Sequence, residues 1–133
     1  MKRLIIAMCL MASTASADVV IENDLGGSLN RYAREFKAFH ASGERVEIAG
    51  RCASACTIYM ALSNACIHPE AKFGFHTATA FGLAPSEAGN KWVAQFYPAK
   101  LKAKFMGDYS KSLGFTWLRG REVLAMNPKA KEC

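Results

Sequence analysis

This 133-residue chain is poor in the features that mark fibrous, membrane-spanning and metal-bound proteins. Proline is held to four residues and glycine to ten, which excludes collagen-like and low-complexity architectures. The longest apolar run, Leu4 to Ala12, has nine residues, well short of the roughly 20 that a bilayer-spanning helix needs. The C-x-x-C spacing typical of zinc sites is absent, and no cofactor motif is present, so neither metal nor cofactor is expected. Acids thin out after Glu87, where only Asp108, Glu122 and Glu132 follow. What is present is globular: 51% hydrophobic and 21% charged residues exclude disorder, and the length suits one domain.

The first seventeen residues read as an address label. Lys2 and Arg3 precede the apolar run, and Ala15-Ser16-Ala17 supplies small residues for a signal peptidase, so cleavage is expected between Ala17 and Asp18. Cys9 follows Met8 and lacks the small residue that a lipoprotein signal places before its cysteine. The mature chain, 18–133, is therefore expected to be periplasmic or secreted, without a stable membrane anchor. Its net charge is about +4 rather than the +6 of the full sequence. Residues 18–90 carry six basic and eight acidic side chains, whereas 91–133 carry nine and three. Export argues against a nucleic-acid partner. It also places Cys52, Cys56, Cys66 and Cys133 in an oxidising compartment, where an even number favours disulfides.

Along the mature chain, Asp18 to Asn23 reads as a strand broken by Asp24-Leu25-Gly26-Gly27. Ser28 is expected to cap a helix with apolar Leu29, Tyr32, Ala33, Phe36 and Phe39 on one face, stopped at Gly43. Arg45 to Ala49 reads as a second strand, giving a right-handed β-α-β crossover. Gly50 to Ala53 reads as a tight turn, Ser54 to Ala65 as a buried, uncharged helix, and Ile67 to Glu70 as another turn. Lys72 to His76 reads as a third strand and Thr77 to Gly89 as a mobile loop. From about residue 90 the chain reads as helical, with one helix to Leu113 disturbed at Pro98 and a second from Thr116 to Met126. The expected fold class is α/β, a small and mostly parallel sheet with a helical C-terminal segment.

Three segments carry a resemblance in the right order: Ile21-Glu22-Asn23-Asp24-Leu25-Gly26-Gly27, Gly50-Arg51-Cys52-Ala53-Ser54-Ala55-Cys56, and Phe73-Gly74-Phe75-His76. Together they resemble the Clp protease and crotonase superfamily, specifically its small exported Clp-protease-like members. The resemblance covers residues 18 to 78 well and the remainder loosely. It implies a nucleophilic Ser54 at a strand-to-helix turn and a catalytic His76 ending the next strand, 22 residues later. It also implies an oxyanion hole from N–H groups near Gly27 and at Ala55, and a peptide or other acyl substrate. Helix-start N–H groups and the helix dipole would favour an oxyanion there. The family's acid lies well after the histidine. Asp108, Glu122 and Glu132 match no motif for it, so a dyad or an incomplete triad on a truncated fold is expected.

Plainer readings stand beside these. Ser54 suits a helix N-cap, His76 a structural histidine, and His40 and His68 a helix-end and a turn residue. A non-catalytic Clp-like binding or assembly module is the competing function, and a thiol or metal enzyme the third. If the 54–65 helix forms, its length separates Cys56 from Cys66 by roughly 15 Å, against a limit near 7 Å for bridged Cα atoms. The pairing Cys52–Cys56 with Cys66–Cys133 then fits best, and Cys52–Cys66 with Cys56–Cys133 needs a longer reach. The basic segment reads as the solvated face of amphipathic helices. The stripe Leu101, Phe105, Tyr109, Leu113 gives the helix an apolar side to bury, and the Clp-like resemblance implies a homo-oligomer through it.

Overall fold

A computed structural model describes residues 18–133; the expected signal peptide, residues 1–17, lies outside the described residues. β-Branched Val19, Val20 and Ile21 open strand β1 (Val19–Asp24), and the Gly-Gly turn leads into helix α1 (Leu29–Ser42). Gly43 ends the helix in the left-handed conformation, φ +68°, its N–H bonded to the Phe39 carbonyl at 3.1 Å. Ser28 occupies the N-cap position but its side chain makes no capping bond. Strand β2 (Val46–Ala53) then lies parallel to β1.

β2 runs longer than the sequence suggests. The expected turn at Gly50 to Ala53 is its second half, because both of its edges find partners there. On one side lies β1; on the other, Val46 to Ile48 pair with strand β3 (Ala65–Ile67), and Arg51 to Ala53 pair with strand β4 (Lys72–Phe75), all in parallel. One strand thus serves two successive partners along a single edge. The expected helix from Ser54 to Ala65 is a 3₁₀ helix, Ser54–Ala61, and the chain re-enters the sheet at Ala65. An uncharged apolar run looks alike whether it is a buried helix or a buried strand.

Beyond β4 the expected loop is structured. It holds a two-stranded hairpin, β5 (Thr79–Ala80) with β6 (Ala84–Pro85), and then helix α2 (Glu87–Ala94). Pro98 separates α2 from α3 (Ala99–Gly107), so the expected long helix is two, with a short 3₁₀ turn, Tyr109–Lys111, after them. The expected Thr116 to Met126 helix begins as strand β7 (Thr116–Arg119), antiparallel to β4, and becomes helical only in α4 (Gly120–Met126). Strand β8 (Lys131–Glu132) closes beside β3. The result is a mixed α/β fold with a six-stranded, mostly parallel sheet.

The core gathers Tyr32, Val46, Ile48, Ile58, Phe73 and Phe75 with Leu101, Phe105 and Val123 from the C-terminal helices. Leu101, Phe105 and Tyr109 are buried in the chain's own core, and of that stripe Leu113 alone is exposed. The apolar side expected to meet another subunit is thereby occupied internally. Among the described residues no helix is long and apolar enough to cross a membrane.

Candidate active site

β2 carries buried Cys52 and Ala53 to the point where the chain leaves the sheet. There Ser54 takes φ +55°, a left-handed conformation that costs a non-glycine residue about 1–3 kcal/mol. Such strain persists only where the surroundings enforce it, and here it swings the side chain toward the end of the neighbouring strand. Pairing of Ala53 with Gly74 sets the register, so His76 emerges two residues further on. The Ser54 Oγ and His76 Nε2 atoms lie 2.8 Å apart. Two residues that are 22 positions apart in sequence thus form a nucleophile and base in contact.

Among the described residues no carboxylate meets the other side of the imidazole. Burial lowers the histidine pKa more than the nearby Leu113 backbone carbonyl raises it, so the net displacement is downward from 6.5 and the ring is neutral at pH 7. With Nε2 facing Ser54, a general base there requires the neutral tautomer protonated at Nδ1. Phe115 packs edge-on to the imidazole at 4.7 Å between centroids. None of Asp108, Glu122 and Glu132 supplies the missing acid; Glu122 instead accepts from the Arg119 N–H at 2.7 Å in the first turn of α4.

The segment after His76 is pinned rather than mobile. The Thr77 N–H donates to the Ser112 carbonyl at 2.8 Å, which holds the Leu113 segment beside the histidine. Asn90, on α2 and almost fully buried, accepts from the Ala78 N–H at 2.6 Å and donates to Thr77 Oγ1 at 3.0 Å. Buried away from water, these bonds hold the start of the loop against α2.

The Gly-Gly turn lies against the serine, and Gly26 makes the close approach. Gly26, at φ +88°, lies so close that a Cβ there would stand 2.6 Å from Ser54 Cβ and 3.0 Å from the Ala55 nitrogen. At Gly27 a Cβ would meet only ordinary contacts at 3.6 Å and beyond. Gly27 keeps a different qualification: among the described residues its N–H donates to no protein acceptor. The Ala55 N–H belongs to the first turn of the 3₁₀ helix, where donors have no intrahelical partner. The turn is braced by Asp24, whose Oδ1 accepts from the Gly26 N–H at 2.8 Å and from the hydroxyl of buried Tyr32.

Among the described residues two disulfides are present. Cys52–Cys56, with Cα atoms 5.3 Å apart, brackets Ser54, and Cys66–Cys133, at 4.9 Å, ties the C-terminal strand to β3. Bonded and buried, Cys52 and Cys56 are no thiol nucleophiles. Among the described residues, Glu47, His68 and Cys133 form a cluster of metal-ligating types, but the Cys133 sulfur is committed to its disulfide, and His68 Nε2 faces Glu47 at 3.3 Å.

Ser54 and His76 open into a cleft of about 700 Å³ walled by Leu25, Leu29, Phe75, Phe81, Val93 and Phe115, with no charged side chain in its lining. A second cavity, about 820 Å³ between the end of the 3₁₀ helix, α3 and α4, holds neither serine–histidine pair nor acid. The chemistry belongs to the first. Leu113 and Asn90 were not legible as site residues, because Leu113 offers only a backbone atom and the partners of Asn90 lie 12 and 13 positions away; Asp24 and Tyr32 bond locally and were read only as part of the strand end and the helix. No family model and no curated protein matches this chain.

Proposed function

We propose that this protein is an exported, Clp-protease-like serine hydrolase acting on a peptide or other acyl bond. The contact between Ser54 Oγ and His76 Nε2 at 2.8 Å, at the floor of a cleft, carries the reading. Ser54 Oγ attacks the acyl carbon while His76 Nε2 takes its proton. The carbonyl oxygen, now anionic, is met by the N–H groups of Gly27 and Ala55. His76 returns the proton to the leaving group, and water, deprotonated by the same nitrogen, releases the acyl group from Ser54. Two disulfides support an extracytoplasmic location, since such bonds persist where the milieu is oxidising. The order of Gly-Gly turn, serine and histidine supports kinship with the Clp protease and crotonase superfamily.

The competing reading, a binding or assembly module on the same scaffold, draws on the neutral partner of His76. A carbonyl stabilises the imidazolium less than a carboxylate would. A fluorophosphonate probe separates the two. Labelling of the wild type that disappears in Ser54→Ala and falls at least a hundredfold in His76→Asn supports the hydrolase. A folded wild type that takes up no probe refutes it.

A further inference from the structure

The strained backbone at Ser54 needs something to hold it, and the residues that face its carbonyl are not those the catalytic reading uses. Thr57 Oγ1 lies 2.6 Å from the Ser54 carbonyl oxygen. The same Oγ1 lies 2.6 Å from the hydroxyl of Tyr97, forty residues away in sequence. The directions follow from valence. A carbonyl oxygen only accepts, so the single Thr57 proton points to Ser54; the Thr57 oxygen then accepts, and the Tyr97 hydroxyl donates. Both side chains are buried, Thr57 completely and Tyr97 at 6% exposure, so neither bond competes with bulk water.

Tyr97 is itself held in place. Its ring meets Phe75 edge-on at 5.5 Å and Phe105 edge-on at 5.1 Å. Pro98 begins the next helix immediately after it, so the break between α2 and α3 is what delivers Tyr97 to the back of the catalytic cleft. A threonine bonded to the carbonyl three residues earlier is common in helices. A second buried hydroxyl clamping that threonine from a distant element, next to a residue with φ +55°, is not explained by helix geometry alone.

We propose that Thr57 and Tyr97 form a buried hydroxyl relay that holds Ser54 in its left-handed conformation and thereby aims its Oγ at His76. Both are positioning residues: neither reaches the reacting atoms. The inference rests on the hydrolase reading for its kinetic consequence but not for its structural one.

Three variants test it: Thr57→Val removes the hydroxyl at constant shape, Thr57→Ser restores it, and Tyr97→Phe removes the second hydroxyl. With a fluorophosphonate probe, Thr57→Val is expected to lower the maximal inactivation rate about tenfold or more with the probe's half-saturation concentration unchanged. Thr57→Ser should stay within about threefold of wild type, Tyr97→Phe should fall between, and the pH inflection set by His76 should not move. In the crystal structure of Thr57→Val, Ser54 should leave the positive-φ region or its Oγ should leave His76. The relay is refuted if Thr57→Val labels at the wild-type rate, if Thr57→Ser is as slow as Thr57→Val, or if Ser54 is unmoved in that structure. Should Thr57→Val fail to fold, Tyr97→Phe carries the same structural and kinetic test. If the wild type takes up no probe, the hydrolase reading falls, and the Ser54 conformation in the variant structure still decides the relay.

Discussion

Replacing Gly26 by alanine tests the closest contact in the site. At φ +88° an L-residue pays about 1–2 kcal/mol in backbone strain. Its Cβ would stand 2.6 Å from Ser54 Cβ and 2.8 Å from the Ala53 carbonyl oxygen, so something must shift, and overpacking of this kind costs about 1–3 kcal/mol more. The expected total is about 2–5 kcal/mol. Gly43 supplies the control, because it is also left-handed, at φ +68°, but a Cβ there meets nothing within 4 Å. Gly43→Ala should therefore cost about 1–2 kcal/mol. For a domain of this size about 1 kcal/mol corresponds to about 4 °C in Tm, so thermal unfolding should fall by about 8–20 °C for Gly26→Ala and about 4–8 °C for Gly43→Ala. Because the clash is with Ser54 itself, fluorophosphonate labelling of the folded fraction should drop at least tenfold in Gly26→Ala and stay unchanged in Gly43→Ala. Gly27→Ala, with only ordinary contacts, should label at close to the wild-type rate. Equal Tm losses and equal labelling in Gly26→Ala and Gly43→Ala would refute the close approach of this turn to the serine.

The remaining predictions concern protonation, cross-links and the pinned loop. Burial lowers the His76 pKa below 6.5, so the inflection in labelling should lie below pH 6.5; an inflection above 6.5 would contradict the buried site. The same shift favours the deprotonated folded state. Its contribution to stability is thus complete above pH 6.5 and lost as pH drops through the lowered value, so in denaturant titrations the stability difference between wild type and His76→Asn should change with pH in that window and stay constant on either side of it. Removing Cys66–Cys133, which spans 67 residues, should cost about 4 kcal/mol, against about 2 kcal/mol for Cys52–Cys56, which spans four. Labelling should show the opposite order, since only the short bridge brackets Ser54. Asn90→Ala should cost about 1–3 kcal/mol and speed hydrogen exchange at the Ala78 amide, which loses its acceptor; unchanged exchange would mean the loop is held by other contacts.

Local chemistry made much of the first half readable. β1 announced itself by three successive β-branched residues, and α1 by its apolar spacing and its left-handed Gly43. The serine and histidine were named through the family resemblance, and the observed disulfides are the better fitting of two pairings left open, although the 54–65 helix used to weigh them is a shorter 3₁₀ helix followed by a strand. The unreadable parts share one physical cause: their structure is set by distant partners. Gly50 to Ala53 continue β2 because β4 lies along that edge, and Ala65 to Ile67 become strand because the first half of β2 is open to them. Thr116 to Arg119 are extended because β4 needs a neighbour. Which of the two glycines makes the close approach depends on the backbone, Gly26 at φ +88°, which no spacing rule specifies.

The Leu113 carbonyl has a consequence for the protein's genetics. Every amino acid carries a carbonyl, so no replacement at position 113 deletes this partner of His76, and a side-chain scan of the site would pass over it. Selection reaches it only through the path of the chain, at Thr77, whose N–H holds the Ser112 carbonyl, and at Ser112, whose Oγ accepts from the Gly114 N–H at 3.1 Å. Substitution at Leu113 itself leaves that carbonyl in place, while changes at the flanking positions move it. A histidine beside a backbone carbonyl is robust to point substitution at that residue and vulnerable to insertion or deletion in the loop that carries it.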